Sequence, residues 1–115
     1  MAIETMTPDQ YRKMLAEAMS EKALQANVRK LATDHGWHVY CWWSSLHSPP
    51  GWPDLVCIRE SPYGAWILYA ELKREKGKLT SDQEETHRLL KMARQRVYVW
   101  RPSALLSGEI EEILR

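Results

Sequence analysis

The 115-residue sequence predicts an α/β (α+β, mixed-sheet) fold in the order α-β-β-β-α-β-α, with helices packed on the sheet. Short apolar segments of strand length alternate with segments whose apolar residues recur at helical spacing. Capping motifs precede two of the helical segments, and most of the Gly and Pro residues lie between elements. At this length, with 44% apolar and 27% charged residues, we expect one domain over residues 1–115.

The first third of the chain is predicted to be helical. Thr7-Pro8-Asp9-Gln10 places Thr at an N-cap, Pro at the first helical position and Gln where it completes a capping box. Ser20 either begins a second helix or interrupts one long helix. Leu24 and Val28 continue the helical spacing, and Gly36 is expected to end the element.

Three strands are predicted in the middle of the chain. Residues 37–43 are mostly aromatic, β-branched or apolar, whereas residues 44–52 contain Ser-Pro-Pro-Gly and are expected to form a loop. Residues 55–58 and 66–70 are continuous apolar runs joined by turn chemistry at 61–64. Because the runs do not alternate with polar residues, we expect both strands to be covered on both faces.

The last third is predicted to be a charged loop, a helix, a strand and a short helix. Residues 73–78 are the loop, and Thr80-Ser81-Asp82-Gln83 is a helix start. Residues 97–100 are the strand, Pro102 ends it, and an amphipathic helix covers 110–114. The inner side of the longer helix is predicted to carry Leu89, Leu90 and Ala93.

Composition excludes several classes of protein. No run of 18 apolar residues is present, so we expect no membrane span, and the first residues lack the pattern of a signal peptide. Cys41 and Cys57 lie in apolar runs and are predicted to be buried thiols in a reducing cytoplasm, not a disulfide or metal framework. No zinc spacing, Gly-rich phosphate loop or Ser/His/Asp arrangement indicates another chemistry.

Charge is uneven along the chain although the net charge is only +1. Residues 72–101 hold nine Lys/Arg and four Asp/Glu. This excess is compatible with a phosphate backbone nearby. A solvated helix face with a charged loop is the alternative, and charge alone favours that alternative.

The most informative feature is the pair of segments Gly51-Trp52-Pro53-Asp54 and Glu71-Leu72-Lys73, at the ends of two predicted strands. If Ser61 pairs with Gly64 across a regular turn, the same register sets Asp54 opposite Glu71. Their Cβ atoms would then lie about 4.5–5.5 Å apart. Lys73 shares a face with Glu71 because it is two residues further along the strand.

Two carboxylates this close repel each other, so one must be protonated or a cation must neutralise both. Mg²⁺ or Mn²⁺ would suit such a site, since hard divalent ions bind one or two carboxylates and keep positions for water and substrate. Lys73 would orient the attacking water or stabilise developing negative charge. The alternative is an ion pair of Lys73 with Asp54 or Glu71, without chemistry.

These residues resemble the PD-(D/E)xK nuclease motif and, more closely, the virus-type replication-repair nuclease (VRR-Nuc) family. The resemblance covers about residues 20–103 and leaves residues 1–20 as an N-terminal helical extension. It is carried by four segments in order: Glu21 and Gln25 on the opening helix, Gly51 to Asp54, Glu71 to Gly77, and Leu79-Thr80-Ser81-Asp82-Gln83.

The resemblance implies a restriction-endonuclease-like core and metal-dependent DNA cleavage that leaves 5′-phosphate and 3′-hydroxyl ends. Its implied catalytic residues are Asp54, Glu71, Lys73 and Gln83. Its implied metal ligands for Mg²⁺ or Mn²⁺ are Asp54, Glu71, the Leu72 carbonyl and Glu21. Gln83 has a purely structural alternative as the capping partner of Thr80, and Glu21 has one as an exposed helix-start carboxylate. The predicted DNA-binding residues are Lys76, Lys78 and Trp52.

We therefore expect a cytoplasmic deoxyribonuclease of a bacterial or phage-infected cell, without an organic cofactor. It would act as a homodimer on branched, flapped or Holliday-junction-like DNA. A sequence-specific or nonspecific duplex nuclease or nickase is one alternative, and a non-catalytic DNA-binding subunit is another. Trp42 and Trp43 are more typical of a core than of base stacking, and no site role is predicted for His47 or His87.

Overall fold

A computed structural model describes residues 5–42 and 48–115, which contain five helices and four strands. The elements are α1 (Pro8–Ala18), α2 (Glu21–Asp34), β1 (His38–Cys41), β2 (Leu55–Ser61), β3 (Gly64–Leu72), α3 (Ser81–Met92), β4 (Arg96–Trp100), α4 (Pro102–Leu106) and α5 (Glu109–Leu114). Trp43 and His47 lie outside the described residues. The α+β class and the mixed sheet are confirmed, and the described residues form two more helices than predicted.

The two additional helices arise because the helical segment near each end of the chain is divided in two. The Ser20 hydroxyl accepts a hydrogen bond from the Ala23 N–H at 3.1 Å, so Ser20 begins α2 and separates it from α1. The predicted capping box of Thr7 and Gln10 is present at α1. Pro102 is the first residue of α4, and Gly108, with φ +87°, precedes α5. No helix in the described ranges is long and apolar enough to cross a bilayer.

The sheet has the strand order β1-β2-β3-β4. Its first three strands are antiparallel neighbours, and β4 runs parallel to β3 after the crossover through α3. The β2–β3 register pairs Ser61 with Gly64 and Leu55 with Ala70, which is the predicted register. Asp54 and Glu71 therefore lie at the open end of this hairpin, just beyond the last pair.

The two faces of the sheet differ. The core face carries Leu55, Cys57, Leu68, Ala70 and Leu72, which are buried against apolar residues of α2 and α5. The site face carries the alternate residues, including the cross-strand row Tyr40, Val56, Tyr69 and Val97. Val56 and Tyr69 of this row are only partly buried, so β2 and β3 are covered on the core face and only partly covered on the site face.

Three expectations about burial are wrong. Trp42, which was expected in the core, is 41% exposed. Cys41 is exposed, and only Cys57 is a buried thiol, whose pKa burial raises to about 11. On α3, Leu89 and Ala93 are exposed, and the residues turned inward are Gln83, Thr86, His87 and Leu90. This inward set has helical spacing but is mostly polar, because α3 packs over polar groups at the ends of the strands.

Candidate active site

Asp54 extends the pairing of the β2–β3 hairpin with its side chain. The backbone ladder ends at Leu55 and Ala70, and the Asp54 Oδ2 atom accepts a hydrogen bond from the Leu72 N–H at 2.8 Å. Pro53, which is buried and has no N–H, precedes it. The Asp54 carboxylate is therefore fixed against the Leu72 backbone. The family resemblance implies that Asp54 and the Leu72 carbonyl both bind the metal ion.

Glu71 is a carboxylate held inside the protein, with only 2% of its surface exposed. Its Oε1 atom accepts a hydrogen bond from Gln83 Nε2 at 3.0 Å, whereas its buried Oε2 atom has no hydrogen-bond partner. Burial, followed by the charge of Asp54, raises the pKa of Glu71 to about 8, and the protonated Glu71 carboxyl can donate a hydrogen bond to Asp54. The nearby Lys73 charge opposes this change without overcoming it.

Lys73 follows the end of β3 and is half-buried. Its backbone N–H donates to the Trp100 carbonyl at 3.0 Å, which ties this position to the end of β4. Among the residues that the structure describes, the Lys73 ammonium lies within 4.0 Å of neither Asp54 nor Glu71 in an ion pair. The strand-end ion pair is therefore not formed, although the Lys73 ammonium is near enough to Glu71 for its charge to act on the pKa of that carboxyl.

Gln83 performs the two functions that the sequence left as alternatives. Its Oε1 atom accepts from the Thr80 N–H at 2.9 Å and completes a capping box, while its Nε2 atom donates to Glu71. One amide can do both because its oxygen and its nitrogen point in different directions. Helix capping thereby holds the amide donor against the buried carboxylate.

Gly51 connects the Asp54 segment to α3. Its φ of +81° favours glycine, and a Cβ atom there would lie 2.3 Å from the Asp82 carbonyl oxygen and 2.7 Å from Thr86 Oγ1. The turn before Asp54 therefore lies directly on the first turns of α3. A side chain at this position would collide with α3, so the Gly-x-Pro-Asp segment requires glycine here.

Glu21 is the first residue of α2 and is exposed. Its charge is among those that raise the pKa of Glu71, so the two carboxylates act on each other electrostatically. Among the described residues, however, no three His, Cys, Asp or Glu side chains form a group that would enclose a metal ion. The structure brings Asp54 and Glu71 together and leaves Glu21 outside that pair.

The loop after Lys73 is tied down at two points. Arg101 donates to the Gly77 carbonyl at 2.8 Å, and the Ser103 N–H donates to Glu75 Oε1 at 3.0 Å. Lys76 and Lys78 are exposed on this loop, as a role in binding phosphate requires. Lys76 Nζ lies 3.7 Å from Glu17 Oε1 of α1, but exposed pairs of this kind contribute little to stability.

Trp52, the third predicted DNA-binding residue, is half-buried. Its ring lies edge-on to that of Tyr69, with centroids 5.7 Å apart and an interplanar angle of 86°. This contact fixes the Trp52 ring on the site face, beside Asp54.

His87 lies near the site, although the sequence favoured no site role for it. It is 4% exposed, and its buried Nε2 atom has no hydrogen-bond partner. Burial and the charges of Lys91 and Lys73 lower the pKa of His87, while the Asp54 charge acts in the opposite sense. The available signal was the spacing from Gln83, because residues four apart on a helix share a face.

The candidate site joins the hairpin end to the start of α3 through Asp54, Glu71, Lys73 and Gln83. Searches found no family model, curated protein or solved structure that matches the chain. What this site does is therefore inferred from its geometry and from the motif resemblance.

Proposed function

We propose that this chain is a divalent-metal-dependent DNA endonuclease of the VRR-Nuc type, with a restriction-endonuclease-like core. The observation that carries the proposal is Glu71, a buried carboxylate beside a second carboxylate, Asp54, with no cationic side chain paired to it. Because buried like charges are costly, Glu71 keeps a proton at neutral pH, and a bound cation would replace that proton and neutralise both carboxylates.

The donor set fits Mg²⁺ or Mn²⁺. The unpartnered Glu71 Oε2 atom and the Asp54 carboxylate supply hard oxygen ligands, and the Leu72 backbone lies against Asp54. A bound ion of this kind polarises a phosphoryl oxygen and lowers the pKa of a coordinated water. Two carboxylates are sufficient because Mg²⁺ sites commonly leave the remaining positions to water and to substrate phosphate.

The protein groups around the carboxylates have separate roles in this proposal. The Leu72 N–H and the Gln83 amide hold Asp54 and Glu71 in place. Lys73 supplies an ammonium that orients the attacking water or stabilises charge on the phosphate. Lys76 and Lys78 neutralise neighbouring phosphates of the DNA backbone.

Substrate choice and assembly belong to the same proposal: a cytoplasmic homodimer that prefers branched or flapped DNA. The exposed Leu89 and Met92 lie three residues apart on the outer side of α3, and they offer an apolar surface for a second copy. Leu89→Glu with Met92→Glu should convert a dimer to a monomer in sedimentation equilibrium. A wild-type chain that stays monomeric at high concentration would remove the dimer from the proposal.

The function is tested with supercoiled plasmid incubated with Mn²⁺, with Mg²⁺ or with EDTA. We expect metal-dependent nicking or linearisation, and at least a ~100-fold loss in Asp54→Asn and Lys73→Ala, in the range found when one charge-stabilising group is removed.

The matched controls are Asp34→Asn and Lys30→Ala, which break an exposed ion pair on α2. They should cut at the wild-type rate. DNA binding without cleavage would instead favour the non-catalytic subunit, and a cleavage ladder on linear duplex would favour the duplex nuclease or nickase.

A further inference from the structure

An aromatic pocket adjoins the candidate site on the site face. It has a volume of about 190 Å³, and its walls are almost entirely apolar. The lining residues, called the aromatic pocket below, are Tyr40, Cys41, Trp42, Trp52, Asp54 and Val56. Asp54 thus belongs both to this pocket and to the pair of carboxylates.

The pocket exists because α3 covers only one side of the site face. The helix lies beside β4 and over Glu71, to which Gln83 donates. Toward β1 no element of the described residues covers the face, and Tyr40 and Trp42 are 58% and 41% exposed. The Tyr40 and Trp42 rings are therefore exposed to solvent at the end of β1, which is the neighbour of β2, the strand that Asp54 precedes.

The size and chemistry of the pocket suit a single flat ring system. Pockets for drug-sized ligands commonly measure about 300–1,000 Å³, so the smaller volume here matches a smaller guest. Tyr and Trp rings bind nucleobases by stacking, with little dependence on sequence. Trp52 is already oriented by Tyr69, which reduces the entropy lost when a base binds.

We propose that the aromatic pocket takes one unstacked nucleobase adjacent to the phosphate that is cut. A base inside a duplex must first be unpaired and unstacked, which costs free energy, so a substrate with an unpaired nucleotide next to the cut is favoured. This inference rests on the proposed nuclease function and narrows its substrate class to DNA with unpaired residues.

The test uses oligonucleotides that carry 2-aminopurine either in a single-stranded flap or in a matched duplex. Binding is measured in EDTA, so that no cleavage occurs, from the fluorescence that stacking on an aromatic ring quenches. We expect quenching of the flap probe only, and roughly 5- to 100-fold weaker flap binding in Tyr40→Ala and Trp42→Ala.

Control variants separate stacking from a loss of surface area. Tyr63→Ala and Trp66→Ala remove exposed aromatic residues from the hairpin turn and from the core-face side of β3, and should bind like wild type. Trp42→Phe keeps an aromatic ring and should restore most of the binding. Circular dichroism of each variant confirms folding before binding is compared.

Equal binding of flap and duplex probes, or unchanged binding in Tyr40→Ala and Trp42→Ala, would overturn the pocket assignment. The nuclease proposal is judged separately, by cleavage of the same flap with Mn²⁺. A protein that quenches the flap probe but never cuts retains the pocket and loses the proposed function. A protein that cuts flap and duplex equally, without quenching, retains the function and loses the pocket.

Discussion

The two faces of one four-stranded sheet are built on opposite principles. The core face consists of apolar side chains that interlock with α2 and α5 and exclude water. The site face begins at the same strands, yet it holds a buried carboxylate, a buried histidine and several half-covered aromatic rings. Stability is concentrated on the first face, and groups kept at an energetic cost are concentrated on the second, as is common at functional sites.

Truncation of the core should give the largest change in stability. Leu68 is fully buried on the core face, and Leu68→Ala should lower the free energy of unfolding by about 2–5 kcal/mol through lost burial and a residual cavity. Val56→Ala, a truncation on the half-covered site face, should cost clearly less. Urea unfolding followed by circular dichroism measures both, and equal losses would contradict the contrast between the faces.

Replacement of the ionisable Glu71 side chain by a neutral one should stabilise the metal-free protein at pH 8. Glu71 keeps its proton to about pH 8 when folded but to about 4.5 in its ordinary environment, so the folded state binds more protons between these values. In EDTA, the free energy of unfolding should fall as pH rises through this window, by at most ~1.4 kcal/mol per pH unit.

Glu71→Gln should remove most of this slope, be more stable than wild type at pH 8, and lose cleavage. The exposed Glu60 of β2 provides the control, since Glu60→Gln should keep the wild-type slope. Mg²⁺ should raise the stability of wild type more at pH 8 than at pH 5. A flat wild-type profile would show that the charge on Glu71 is not held at a cost.

Substitution of Gly51 should show that the site depends on the close approach of the Gly51 backbone to α3. Gly51→Ala places a Cβ atom against the Asp82 carbonyl and should cost about 1–3 kcal/mol of stability together with activity. Gly108→Ala is matched, because Gly108 has a similar φ of +87° but no atom within 4 Å of the added Cβ. If both variants lost similar stability in thermal unfolding, the cost would come from the positive φ alone and not from the contact with α3.

The two capping boxes allow the site function of Gln83 to be isolated. Gln10 and Gln83 both cap a helix behind a threonine, but the Gln83 amide also donates to Glu71. Gln83→Ala should lower cleavage by about 10- to 100-fold, as loss of a group that orients a metal ligand does, while Gln10→Ala leaves it unchanged. Plasmid cleavage rates test this prediction. Equal rates in the two variants would show that Gln83 only caps α3.

Local features were predictable from the sequence. The caps at Thr7 and Thr80 and the hairpin register that aligns Asp54 with Glu71 all follow from residues close in the chain. Helical period, capping side chains and tight turns are set by interactions over a few residues, which is why their positions were correct. The hairpin register and strand alternation selected Asp54, Glu71 and Lys73, and the family resemblance added Gln83.

The tertiary structure decided which surfaces meet. It turned His87, instead of Leu89, toward the sheet, gave Gln83 a second partner, and formed a pocket beside Asp54 among the described residues. These outcomes depend on how α3 packs on the sheet and on the contact between Gly51 and that helix. Both bring together residues that are far apart in the chain, so short-range patterns do not predict them. Periodicity identifies the faces of a helix, but packing against the rest of the protein selects the face that is buried.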